Sequence, residues 1–469
     1  MPQTEPYEVL VIGSGESGKY MAWTMAKAGH RTAVVERKLI GGSCPNIACI
    51  PSKAMIHSAK VASLAGRGPE FGLECKSLAV NMASVQRRKQ EIVRGLIQIH
   101  LDRYKASGAE LIMGTARFIA PRTVEVSLND GGTRVIAGDR VFLNLGSRAA
   151  MPDIPGLAAS EAMTHIEALE LDRLPQHLIV LGGGYVGLEL AQAMRRFGAR
   201  VTMIEKGDQI ASREDADVAA ALLELFQNEG IEVLLKTKVR AAEGRSGERV
   251  RLRIEDSNGE GWLEGSDLLV ATGRIAITAG IGLQEAGIEL DARGFVKVNE
   301  RLETTAPNVW AMGDCAGSPI FTHVAFDDFR IVRDNLNGGH RTTRNRLVPF
   351  CVFTDPELAR VGMNESEAKV RGIQYRLVKI PMASVLRMRT LSETRGFMKM
   401  LLAAESDRIL GFTAFGTEAT EMTAAVQTAI LGGLPYSLLQ NAIFTHPTAA
   451  EGLTVLLAGV PAQPAQKAA

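Results

Sequence analysis

The sequence predicts an α/β protein with two copies of a strand–turn–helix–strand unit and a smaller C-terminal α+β domain. Three observations carry this prediction. At 469 residues the chain has room for about three domains of ordinary size. A glycine cluster between an apolar run and a helix-period stretch occurs twice. From about Val348 onward, strands and helices continue without such a cluster.

The first unit opens with the apolar run Tyr7 to Ile12, which ends in Gly13-Ser14-Gly15-Glu16-Ser17-Gly18. A helix follows to about Ala28, then a stop at Gly29 and a strand from Thr32 to Val35 that ends at Glu36. The second copy has the strand Leu178 to Leu181, the cluster Gly182-Gly183-Gly184-Tyr185-Val186-Gly187, a helix from Leu188 to Phe197, and the strand Arg200 to Ile204, ending at Glu205. First glycine and acidic residue stand 23 positions apart in both copies. Small residues let a strand turn sharply into a helix, whose N–H groups and positive end can meet a pyrophosphate, while the acid accepts hydrogen bonds from a ribose. A lone glycine turn is weak evidence. Two at one offset, each with strand, helix and acid, define two Rossmann-like dinucleotide-binding units. Glu205 favours the ribose hydroxyl of NADH and opposes the 2′-phosphate of NADPH. Lys206 beside it could soften that repulsion or simply be solvated, so NADH is expected and NADPH stays possible.

Between the units, Ser84 to Tyr104 has the period of a long amphipathic helix, with Ile92, Leu96 and Ile99 on one stripe. Short alternating strands run from Leu111 to Leu145, and Met151 to Gly156 is a linker. Further strands from Val250 close on Ala271-Thr272-Gly273-Arg274. The Pro/Ala/Gln-rich tail, 461–469, is expected to be disordered.

Composition excludes several classes. Hydrophobic residues at 46% and charged residues at 22% exclude intrinsic disorder. Lys+Arg number 53 against 52 Asp+Glu, so a net charge of +1 gives no field to gather a polyanion, and no nucleic-acid partner is expected. No apolar run is long enough for a membrane span, since Leu178 to Leu190 is interrupted by four glycines. The N-terminus lacks a secretory pattern, and five cysteines are too few for a disulfide scaffold. The chain reads as cytoplasmic, with cysteines kept for chemistry.

The most specific segment is GGSCPNIACIPSK, Gly41 to Lys53. Cys44 and Cys49, five apart at the start of an expected helix, can close a small disulfide loop, and the helix's positive end would stabilise a thiolate. A buried structural pair or two unrelated apolar cysteines are the bland alternatives. The spacing suits zinc poorly, and no second Cys/His pair accompanies it, so no metal site is expected. Cys75, Cys315 and Cys351 stand alone and read as small buried residues. Near the other end, His446 is followed five residues on by Glu451, which could orient it and keep it basic. The other histidines have no such local partner, although His323, within Phe321 to Ala325, draws interest.

Together these segments resemble the class I flavoprotein disulfide reductases, the pyridine nucleotide-disulfide oxidoreductases. GGSCPNIACIPSK resembles their redox-active segment, ATGR and AMGD (Ala311 to Asp314) their later landmarks, and HPTAAE (His446 to Glu451) their C-terminal signature. The likeness runs from about Tyr7 to Gly459. It implies an FAD-binding domain over 1–150 and 275–345, an NAD(P)-binding domain over 151–274, and a C-terminal dimerisation domain over 346–460.

Carried over residue by residue, the likeness implies FAD on Gly13, Gly15 and Gly18, with Glu36 on the adenosine ribose and Asp314 on the ribitol. Cys49 would face the flavin and Cys44 would be the interchange thiol. Lys53 would lie near flavin N5, paired with Glu189. Tyr185 would gate the nicotinamide pocket, on the turn formed by Gly182, Gly184 and Gly187. Gly313, Ala325, Gly273 and Arg274 would complete the cofactor contacts. His446 and Glu451 would act as an acid/base pair in the other subunit of a homodimer, whose active site is completed across the interface. NADH would then reduce the flavin on one face, and the flavin the Cys44–Cys49 disulfide on the other.

Phe321 to Val332 and Leu386 to Lys399 look closer to mercuric reductase and a reactive-chlorine-resistance copper reductase than to glutathione reductase. The C-terminal cysteine pair of mercuric reductases is missing, and His446 stands where they have Tyr. Ala48 and Leu145 replace a usual Gly and Thr. The function implied is an FAD-dependent NAD(P)H oxidoreductase acting on a small-molecule disulfide or thiophilic metal ion. A dihydrolipoamide dehydrogenase or glutathione-reductase-like enzyme is the alternative, and a flavin-binding subunit without turnover is an alternative of another class.

Overall fold

The computed structural model describes residues 3–74 and 79–463. Cys75 and the last six residues of the expected disordered tail lie outside them.

The first unit forms a six-stranded sheet. Thr4–Ile12 is flanked by parallel partners Thr32–Glu36 and Thr133–Leu143, with Glu110–Ala120 and Val309–Ala311 beyond them. Thr123–Leu128 runs antiparallel to both Glu110–Ala120 and Thr133–Leu143. Val9, Leu10 and Val11 are fully buried. That is why this strand reads as an unbroken apolar run. Val9 and Val11 pack under helices Glu16–Lys27 and Thr322–Leu336, and Leu10 packs on the other face against the antiparallel strands of 110–143 and the 281–298 segment. Each of these side chains contributes roughly 1.5–3 kcal/mol by leaving water.

The second unit is a four-stranded parallel sheet in the order Asp267–Val270, His177–Leu181, Arg200–Ile204, Glu232–Leu234. A three-stranded antiparallel meander, Lys238–Gly265, packs onto it. The short pair Ser147–Ala149 and Arg274–Ala276 carries the chain out of the first unit and back.

The C-terminal part is a five-stranded antiparallel sheet covered by helices Ala419–Leu431 and Gly452–Ala458. The whole is an α/β fold with two dinucleotide-binding domains and a C-terminal α+β domain. No helix among the described residues is long and apolar enough to cross a membrane.

Helix boundaries differ from the sequence reading in three places. The second-unit helix starts at Tyr185, not Leu188, because it begins directly at the glycine turn. The segment expected as one helix around the cysteines is two. Ser43–Ile47 carries Cys44, Ala48 breaks the helix with φ −134° and ψ −102°, and Cys49 opens the helix Cys49–Gly66. The long helix extends beyond its expected span to Met82–Ser107, capped by the Asn81 side chain.

Candidate active site

The two glycine turns are built alike. Helix Glu16–Lys27 approaches its strand so closely that a Cβ on Gly18 would stand 2.1 Å from the Gly13 carbonyl oxygen. A Cβ on Gly187 would stand 2.1 Å from the Gly182 carbonyl oxygen. No side chain fits either gap. At the strand tips, Glu36 accepts from the Ser14 amide at 2.9 Å, and Glu205 from the Gly183 amide at 2.8 Å. Each acid thus sits against its own turn, where a ribose would meet it.

Between the turns lies one cavity of about 2280 Å³. A single small ligand needs roughly 300–1,000 Å³, so this space suits two dinucleotides. Gly13, Gly15, Glu36, Gly313, Asp314 and Ala325 line its first-unit end, and Gly182, Gly184, Tyr185, Glu205, Gly273 and Arg274 its second-unit end. Cys44, Cys49, Lys53 and Glu189 line it as well. Gly18 and Gly187 lie behind the wall and act through close packing instead. Cys315 is fully buried, as a small apolar residue would be, whereas Cys351 is only half-buried and lines the cavity, contrary to the bland expectation.

The break at Ala48 brings the two thiols together. The Cys44 thiol hydrogen-bonds the Cys49 sulfur, and that bond, with help from Thr322 and the Lys53 charge, draws Cys49 down to about 6 against the opposing effect of burial. The same bond pushes the Cys44 thiol up, and burial adds to it. A reduced pair therefore favours a single thiolate, and Thr322 and Lys53 make Cys49 the sulfur that its surroundings draw toward charge. Thr322 Oγ1 lies 3.3 Å from Cys49 Sγ. One turn along the helix, Lys53 Nζ meets Glu189 Oε2 at 2.7 Å.

Sequence reasoning passed over Thr322 and Asn144. The Asn144 side chain accepts from the Gly18 amide at 3.1 Å and donates to the Met312 carbonyl at 3.0 Å, pinning the first turn to the AMGD segment. Its only signal was its place before Leu145-Gly146. Asp314 accepts a hydrogen bond from Ser147, which also holds Arg274 at 2.8 Å.

His446 is placed elsewhere. Its Nδ1 is 3.0 Å from the Glu451 carboxylate, so the pair exists, but the imidazole side chain is 61% exposed and does not line the cavity of its own chain.

The glycine cradles, with both strand-tip acids turned toward them, fit a flavin dinucleotide and a pyridine dinucleotide, and the paired thiols lie between. This defines a flavin-dependent oxidoreductase with a dithiol centre. The chain belongs to the pyridine nucleotide-disulphide oxidoreductases: the family's main domain matches residues 7–328 and its dimerisation domain residues 348–456. It is 35% identical over 456 residues to a probable pyridine nucleotide-disulfide oxidoreductase, RclA, of Escherichia coli, covering 96% of this chain and 98% of the relative. Mercuric reductase of Streptomyces lividans is 34% identical, with 95% of this chain and 94% of that protein covered. The solved structure of RclA, described as an HOCl-induced flavoprotein disulfide reductase from Escherichia coli, superposes with a TM-score of 0.89 at 35% identity, covering 97% of this chain and 100% of that one. A Cu(II) complex of the same protein gives a TM-score of 0.89 at 34% identity, with 97% and 99% covered. The chain is therefore an FAD-dependent NAD(P)H oxidoreductase with a dimerisation domain.

Proposed function

We propose that this enzyme uses NADH to reduce a thiophilic metal ion or a small disulfide through Cys44 and Cys49. The observation that carries this reading is the thiol pair itself: it lies in the one cavity that joins both glycine turns, with Cys49 drawn toward charge by Lys53 and Thr322. FAD bound at Gly13, Gly15, Glu36 and Asp314 supplies the two-electron relay between nicotinamide and sulfur.

The residues of the chain do the rest. Lys53, held by Glu189, places a positive charge beside the thiolate. Cys44 keeps its proton until a base removes it, and then attacks a disulfide or binds a soft cation. His446 of the partner subunit, oriented by Glu451, is that base. Its exposure in the single chain, and the exposed Leu438, Ile443 and Val455 close to it in sequence, support a homodimer that completes the site.

The relatives named mercuric reductase and the Cu(II)-bound RclA favour a metal-ion substrate. A dihydrolipoamide dehydrogenase of Chaetomium thermophilum, 32% identical over 451 residues, and the intact His446–Glu451 pair keep lipoamide as the second reading. An anaerobic NADH titration followed by Cu(II), Hg(II), lipoamide and oxidised glutathione separates them. Cys44→Ser is expected to abolish turnover of every one of these while NADH still bleaches the flavin. Retained turnover in that variant refutes the dithiol role. Failure of NADH to expose two further thiols in the wild type would leave only a flavin-binding subunit. For the cofactor, Glu205→Arg is expected to move preference toward NADPH. An unchanged NADH/NADPH ratio assigns that choice to other residues.

A further inference from the structure

Tyr185 is held at two ends by residues that the roles above do not use. Its hydroxyl donates to Glu214 Oε1 at 2.7 Å. Its ring stacks on Phe350, with centroids 5.9 Å apart and planes 21° apart. The guanidinium of Arg360 lies 4.6 Å over the same Phe350 ring, and its Nε is 3.2 Å from Glu214 Oε2. Tyr185 and Glu214 come from the second unit, Phe350 and Arg360 from the C-terminal domain.

The Glu214 side chain is fully buried. A carboxylate withdrawn from water needs its hydrogen bonds, and this one has few. Glu214 Oε2 and Arg360 Nε approach closely without aligning for a hydrogen bond, so the Tyr185 hydroxyl is the aligned side-chain donor Glu214 has. Arg360 is anchored independently by Glu367 at 3.1 Å and the Gly362 carbonyl at 3.3 Å, so it stays when the tyrosine moves. Swinging Tyr185 out of the cavity breaks a buried hydrogen bond and an aromatic stack at once.

We propose that Glu214 is the latch of the nicotinamide gate, a positioning residue that acts through the Tyr185 hydroxyl and sets how often the gate ring leaves the cavity. This rests on reading Tyr185 as the gate. A nicotinamide must displace the ring, so the shut population lowers the apparent affinity of any ligand carrying that ring. A dinucleotide fragment that ends at the ribose has no ring to insert and escapes the penalty. The latch therefore discriminates against loosely placed nicotinamides and shields the flavin from solvent oxidants between turnovers.

The alternative is a mere strut between domains, like the ion pair that Asp215, next in sequence, makes with Lys399 of the C-terminal domain at 2.8 Å. The FAD-loaded enzyme separates the two with NAD⁺ and ADP-ribose as probes, in Glu214→Gln, Tyr185→Phe and the double variant. The expected result is a gain in NAD⁺ affinity of about three- to tenfold in each single variant, with ADP-ribose unchanged. The double variant should gain no more than Tyr185→Phe alone, because Glu214→Gln weakens, and Tyr185→Phe removes, the same bond. A strut would lower thermal stability in Glu214→Gln and leave the NAD⁺/ADP-ribose ratio at its wild-type value, which overturns the latch. Additive gains in the double variant overturn it too. Tyr185→Ala tells this failure from failure of the gate: if it shifts the ratio while Glu214→Gln does not, only the latch is wrong, and if neither shifts it, Tyr185 is not the gate.

Discussion

Lys53 and Glu189 meet at 2.7 Å across the seam between the two dinucleotide-binding units, and the other Glu189 oxygen accepts the Phe353 amide at 2.9 Å. One carboxylate thus links both dinucleotide-binding units and the C-terminal part of the chain. The Lys53 ammonium, 4.5 Å from the Phe353 ring centroid, is fixed in place one turn from Cys49. Glu189→Gln should keep the bond to Phe353 and lose the counter-charge. Losing a charged hydrogen bond of roughly 1.5–3 kcal/mol predicts a fall of about tenfold or more in the anaerobic rate of flavin bleaching by NADH. An unchanged rate would show that Lys53 needs no such anchor.

The thiol pair makes a pH prediction with a definite sign. Cys49 is lowered to about 6, so its thiolate is present above that pH and is lost as pH falls through it. Ultraviolet thiolate absorbance of the reduced enzyme should lose one thiolate with a midpoint near pH 6. Cys44→Ala removes the hydrogen bond that contributes most, so its midpoint should rise toward the ordinary thiol range. A midpoint that stays near 6 would assign the effect to Thr322 and Lys53 instead.

Completion of the site by a second subunit can be tested by mixing. In a heterodimer of Cys44→Ser and His446→Ala chains, one of the two sites has both wild-type groups if histidine and cysteine come from different chains. Random reassortment puts half the chains in such dimers, so about a quarter of wild-type activity should return. If both groups acted within one chain, every site would stay defective and the mixture would remain inactive.

Lys399 is fully buried, with its Nζ 2.8 Å from each of Asp215, Asp217 and Glu365. Asp215 and Asp217 belong to the second unit, and the other two residues to the C-terminal domain. Burial pushes Asp215 up, but Lys399 and Ser366 outweigh it and hold the acid at about 2. That stabilisation is present above the unfolded carboxylate range and is lost as pH falls from about 4 toward 2. Lys399→Met leaves three carboxylates facing one another and should cost roughly 3–5 kcal/mol, read as a lowered urea midpoint at pH 7. A midpoint within error of wild type would mean that the acids find other partners or water.

How much of this was legible in the sequence depends on how locally each feature is encoded. The glycine turns, their strand-tip acids and the Cys44–Cys49 spacing are fixed by backbone geometry within about 25 residues, and the order of residue types displays them. The break at Ala48 does have a local signal, which the sequence reading passes over. Pro51 lies in the first turn of Cys49–Gly66, where a proline's missing N–H costs nothing, and so marks a helix start. Thr322 and Asn144 were missed for another reason. Their work is done on residues 273 and 126 positions away, and a threonine or asparagine has no local pattern that names its distant partner.

The sequence by itself thus determined the class of fold, the paired sulfurs and the two nucleotide cradles, because short-range sterics and the hydrophobic period carry that information. Only the tertiary structure decided which sulfur Thr322 and Lys53 draw toward the thiolate, which carboxylate anchors Lys53, and what holds Tyr185. Those are electrostatic and packing relationships among groups far apart in the chain. They take effect only when folding removes them from water and sets them a few ångströms apart.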